Sequence, residues 1–189
     1  MSDTTDPWWG VTTANGLAAD EVRSSLQKYV RRGQLEEAVL CAYELYSTGE
    51  AAEDLLWRRM EIMAAEDVGL GNPALPAVIE ALHAQRSRLP RSGDRWLLAA
   101  HAVRLLAIAP KDRTSAELAD WARHLVDSGK RSAAILDAAL DMHTARGVGM
   151  GRGRAHFFAE GNLVANEVPD RDLTWLGYLR GEYCDKLPR

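Results

Sequence analysis

The segment Asp141–Gly161, DMHTARGVGMGRGRAHFFAEG, concentrates the side chains best suited to chemistry. Between Asp141 and Glu160 it carries no acid, while Arg146, Arg152 and Arg154 supply three positive charges. Gly147, Gly149, Gly151 and Gly153 occupy every second position. Glycine permits positive φ and close backbone approach, so such a loop can turn several N–H groups toward an anion. Arginines beside it can grip phosphate oxygens bidentately. Arg146, Arg152 and Arg154, with Gly151 and Gly153, are therefore the candidate phosphate or nucleic-acid contacts. The spacing matches neither the dinucleotide fingerprint nor a P-loop. A surface linker whose arginines pair with acids elsewhere accounts for the same residues.

The same segment suggests a second chemistry. His156 and Glu160 share a face if a helix resumes after Gly153, being four residues apart. With Asp141 and His143 delivered from the preceding helix end, four oxygen and nitrogen ligands could surround a metal. A histidine–carboxylate pair among His143, His156 and Glu160 could also act as a general base. That reading is a small-ligand or metal-dependent enzyme centred on His143, Arg152 and His156. Nothing in the glycine-rich stretch fixes its two halves together, so no cofactor is expected and a non-enzymatic role is favoured.

A different puzzle lies in WRRMEIMAAEDVGLGNP, residues 57–73. Leu56, Met60 and Met63 fall at i, i+4 and i+7, one apolar helical stripe. Gly69 and Gly71 end the helix, and Asn72-Pro73 opens the next. Glu66 and Asp67 then sit in the last turn, where the macrodipole disfavours carboxylates by up to about 1 kcal/mol. Arg58, Arg59 or an arginine of a neighbouring helix is expected to offset them.

The elements that must position these groups are helical. Of 189 residues, 47% are hydrophobic, much of that alanine, and only two are phenylalanine. This composition favours closely packed helices over a large sheet. The expected helices run about 18–32, 35–47, 52–67, from Pro73–Pro76 to before Pro90, from Gly93 to before Pro110, and from a Thr114 or Ser115 cap to near Gly129. A seventh should carry Ile135, Leu136, Ala139 and Leu140, and a last one should span about Asp172–Lys186. Leu97, His101, Leu105 and Ile108 form the expected core stripe of the fifth, and Leu35, Val39, Ala42 and Tyr46 one face of the second. Trp175 and Tyr178 are expected to pack on their own domain. Trp8 and Trp9 either cover a groove of their own domain or bind a partner subunit, since tryptophan is enriched in hot spots.

A net charge of −4 is unlike a typical basic nucleic-acid-binding domain. The two cysteines, Cys41 and Cys184, show no zinc spacing. No signal peptide or membrane-length apolar run is visible, so the expectation is a cytoplasmic protein without a membrane partner.

LWRRMEIMAAEDVGLGNP, preceded by SLQKYVRRGQLEEAVLCAYEL at Ser25–Leu45, resembles the C-terminal helical domain of the MgsA/RarA replication-associated recombination AAA+ family. LLAIAPKDRTSAELADWA, Leu105–Ala122, is similar to that domain's next helices. The resemblance covers roughly residues 20–122. In that family an ATPase module precedes this domain, which forms an oligomerising collar like that of clamp loaders. No GxxxxGK[ST] loop occurs here, so the resemblance implies a collar-like module without ATPase chemistry. The expected organisation is an all-α antiparallel bundle: an N-terminal tail over 1–16, a collar-like helical domain over 17–140, and a Gly/Arg-rich loop with a C-terminal helix over 141–189 packed on the same domain. The expected role is oligomerisation or docking in bacterial DNA replication or recombination. Expected partners are a homo-oligomer and DNA or a replication protein.

Overall fold

A computed structural model describes residues 6–184, which are all-α: no strand occurs among them. The chain gathers into two compact units that divide between Ser128 and Gly129.

The first unit contains α1 (Ala19–Arg31), α2 (Leu35–Thr48), α3 (Glu50–Met63), α4 (Leu75–Arg86), α5 (Gly93–Ile108) and α6 (Thr114–Asp127). Val22, Leu26 and Val30 recur every four residues and bury one face of α1. Asp20 and Glu21 in its first turn, with Lys28 and Arg31 in its last, suit the helix dipole. Gly33, at φ +70, turns the chain into α2, against which α1 packs. The expected stripe of α3 is present, with Leu56, Met60 and Met63 all fully buried beside Trp57. Leu75 and Ile79 of α4 complete the floor of this core.

The expected face of α5 needs correction. Leu97, His101 and Ile108 are exposed, whereas Ala99, Ala102, Val103 and Leu106 are buried. Helix α5 packs against α1, α2, α3 and α4, and small side chains let it approach them all. On α2 the buried set is Ala38, Ala42, Leu45 and Tyr46, leaving Leu35 and Val39 half-buried.

Residues 6–18 form a clip rather than a loose tail. Thr12 pairs with Ala18, the Ala14 amide donates to Thr48 Oγ1 at 3.0 Å, and Asn15 bonds Glu44. Trp8 packs on the core, while Trp9 is 61% exposed.

The second unit contains α7 (Ala145–Gly149), α8 (Arg154–His156) and α9 (Thr174–Tyr183), with a 3-10 turn at Asp137–Ala139 and a π-turn at Phe157–Gly161. No seventh helix carries Ile135 and Leu136; both are exposed, outside any helix, just before the 3-10 turn. Trp175 and Tyr178 are also exposed rather than packed. The last helix ends at Tyr183, and its expected end at Lys186 lies outside the described residues.

Candidate functional site

The puzzle of Glu66 and Asp67 resolves into a joint. After Met63 the helix widens into a π-turn, Ala64–Val68, which carries both acids. Asp67 is fully buried, and a buried carboxylate must be paired and hydrogen-bonded to be tolerated. Arg31 Nε donates to Asp67 Oδ1 at 2.6 Å and Gln27 Nε2 to Oδ2 at 3.0 Å. Arg113 Nε lies 3.3 Å from Oδ1. Glu66 receives Gln27 at 2.9 Å, Arg31 at 3.1 Å and Arg113 at 3.3 Å. The offsetting arginines thus come from α1 and from the residue before α6. Arg59 has an indirect part, donating to the Gln27 amide oxygen at 3.3 Å, and Arg58 is exposed.

The glycines beyond this turn are explained by backbone rather than by a ligand. A Cβ on Gly69 would lie 2.4 Å from the Asp112 carbonyl oxygen, and one on Gly71 would lie 2.3 Å from that of Pro110. Only glycine lets the α5–α6 connection lie this close. The Asp112 amide then donates to the Asp67 and Val68 carbonyls, which the widened turn leaves available. The Asp112 carboxylate also accepts from the Thr114 amide at 2.9 Å, a turn just ahead of α6; the cap position is Arg113, not the expected Thr114 or Ser115, and it makes no side-chain cap bond. Lys111 Nζ closes the other side, bonding the Leu106, Ala107 and Ala109 carbonyls at the end of α5. Burial pushes its pKa down, and the Asp67 charge opposes that shift. The whole joint fixes where α6 leaves the core.

A second buried carboxylate escaped the sequence reading. Glu53 of α3 is fully buried and contacts three guanidiniums: Arg95 at 2.7 Å, Arg86 at 3.0 Å and Arg91 at 3.3 Å. Burial alone would push its carboxyl up, but the hydrogen bonds and charges of Arg95 and Arg86 prevail and hold it below the usual glutamate range. Glu50 and Asp54 balance the surplus charge through Arg95 and Arg86. The only sequence signal is the spacing of Arg86, Arg91 and Arg95 around Pro90, which names no partner.

In the second unit the candidate anion loop is partly committed. Arg152 donates to the Asp137 carboxylate at 2.8 and 3.1 Å and to the Asp137 and Leu140 carbonyls at 2.7 and 3.2 Å. Arg154 lies over the Tyr183 ring at 5.3 Å, and Arg146 is exposed. Gly147 is the position where close approach matters, since a Cβ there would meet the Asp141 carbonyl oxygen at 2.0 Å. Gly151, at φ +72, and Gly153 have open space around them.

The expected four-ligand metal set does not assemble. Asp141 and His143 are together, with Oδ1 accepting the His143 amide at 2.9 Å and lying 3.1 Å from Nδ1. The His143 amide hydrogen bond holds the Asp141 carboxyl below its usual range; burial opposes it, and the His143 imidazole adds to the lowering. His143 instead meets Phe157 edge-on, and Glu160 is exposed. The buried Nε2 of His156 has no hydrogen-bond partner among the described residues. Among those residues, three metal-ligand side chains do gather elsewhere, at Glu61, Glu80 and His83. The physical reason is local: no helix ends at Asp141 and His143, which lie in turns after the 3-10 turn, while α8 stops at His156 and Glu160 falls in the π-turn, so the four do not share a helical face.

No helix among the described residues is long and apolar enough to cross a membrane. No curated protein matches the chain. Residues 35–173, well over half its length, match the family described as MgsA AAA+ ATPase C terminal. That span runs past the expected limit near residue 122 and takes in the Gly/Arg segment, while α1 and α9 lie outside it. Together with its all-α architecture, this match makes the chain a member of the MgsA AAA+ ATPase C-terminal domain family.

Proposed function

We propose that this AAA+-associated helical domain is a non-ATPase oligomerisation or docking module acting in bacterial DNA replication or recombination. The observation that carries the docking part is a groove between α2 and α5. It has a volume of about 260 Å³ and is lined by Leu35, Val39, Leu97, Ala100, His101 and Arg104. Leu97 is 64% exposed there, on the face of α5 that a monomer's own core leaves uncovered. Apolar surface grouped in a groove and rimmed by polar residues is the usual mark of a protein contact. A second copy of the chain is the occupant this reading favours, in keeping with the collar that the family resemblance implies.

Light scattering on wild type and L97E tests the proposal. A wild-type oligomer that falls to monomer in L97E supports it, because an exposed position can take glutamate without disturbing the fold. A wild type that is monomeric at every concentration removes the oligomer reading. The DNA part is tested by titrating forked DNA at rising salt. Contact through Arg146 predicts affinity that falls steeply with salt and falls further in R146A. Absent or salt-insensitive binding contradicts that contact.

A further inference from the structure

We propose that Glu61, Glu80 and His83 form a site for a divalent transition metal of the zinc type, clamping α3 to α4. One ligand atom from each of the three side chains lies within 4.8 Å of the others. Glu80 and His83 stand three residues apart on α4, the spacing that puts two side chains side by side on one helix face. Glu61 reaches them from α3, its Oε1 in contact with His83 Nδ1.

The imidazole in this group is positioned by the core. It lies flat on the ring of Trp57, with centroids 5.3 Å apart and planes 9° apart, and Trp57 is fully buried. Trp57 and Glu61 are one turn apart on α3, so the same helix supplies both the platform and a ligand. Glu61 and His83 are half-buried and Glu80 is exposed, leaving the site open to ions from solvent. Arg86, the next basic residue along α4, is drawn to Glu53 and Asp54 and leaves the carboxylates of Glu61 and Glu80 for a cation.

The donor set selects the ion class. Magnesium and calcium prefer all-oxygen cages, whereas one imidazole with two carboxylates suits zinc and its neighbours. A tetrahedral ion with bonds near 2.0–2.2 Å needs its ligands roughly 3.3 Å apart. Side-chain rotation on two packed helices can part the Glu61–His83 contact enough to admit the ion and bring Glu80 to it. Three protein ligands leave one position for water, the pattern of an open zinc site.

Zinc titrated calorimetrically into the folded chain, with magnesium in excess, tests this. The expected result is one zinc bound per chain, weakened about tenfold or more in E80Q and lost in H83Q. E80Q alters an exposed side chain, so its effect is not one of folding, and circular dichroism checks this directly. H143Q, which removes the imidazole of the separate His143–Asp141 pair, should bind as wild type does. Cobalt(II) should give a visible band in wild type that H83Q abolishes. No zinc uptake by the folded wild type would overturn the site, as would uptake undiminished in E80Q and H83Q or lost in H143Q.

Discussion

Up to Ser128, apolar side chains from α1 to α5 meet in one continuous core, and two fully buried carboxylates, Glu53 and Asp67, are each held by arginines. Among the described residues from Gly129 onward, burial is confined to Leu140, Asp141, Gly147 and Phe158. The second unit is ordered by polar staples and ring contacts instead. Arg152 ties Asp137 and Leu140, and a chain of rings runs from His143 through Phe157 and Phe158 to Tyr183. The difference shows two ways of meeting the entropy cost of order. One unit does so by area buried. The other relies on a few specific contacts, so single changes should act on it locally.

The sharpest test of the first half of that comparison is E53A. Removing one partner of a buried ion pair leaves guanidiniums uncompensated, and a loss of about 3–5 kcal/mol is expected. Urea unfolding followed by tryptophan fluorescence would measure it, and a loss below about 1 kcal/mol would break the contrast. In the second unit, G147A should cost roughly 3 kcal/mol, because its methyl group collides with the Asp141 backbone. Hydrogen exchange should rise across residues 137–161 and stay unchanged in α1 to α5. R152A should weaken the same region by about 2 kcal/mol, through lost hydrogen bonds from a charged donor. A uniform rise in exchange over both units would show that they are not separate in this sense.

Acid provides a milder comparison. Glu53 and Asp141 are each held below their ordinary values in the folded chain, Glu53 by arginines outweighing burial and Asp141 by the His143 amide. A depressed folded pKa contributes stability that is complete above the unfolded value and disappears as pH falls through the folded one. Both units should therefore weaken as pH falls below about 4, the ordinary carboxylate range. E53Q should flatten that dependence in the first unit alone. An unchanged acid profile in E53Q would contradict the assignment.

Much of the first unit is legible in the sequence because its helices carry their own signals. The Leu56, Met60, Met63 stripe has helical period, and Gly33, Pro90 and Pro110 mark the joints. The face of α5 is not legible, since Leu97–Ile108 and Ala99–Leu106 both have helical period and only tertiary crowding selects the smaller set. Glu66 and Asp67 signal a need for positive partners, but Arg31 and Arg113 are more than thirty residues away on either side. Glu61 and His83 meet only because α3 packs on α4, which no spacing rule reveals. In 129–140 the alanines and leucines suggest a helix. Only the 3-10 turn Asp137–Ala139 forms there, with Ile135 and Leu136 exposed before it, so local propensity is not backed by burial at those two positions.

Light scattering of the wild-type chain beside L97E over a wide concentration range tests the central claim most directly. The account predicts a discrete wild-type oligomer and an L97E monomer with unchanged helix content. A wild-type chain that stays monomeric, or an L97E variant that assembles as wild type does, would contradict it.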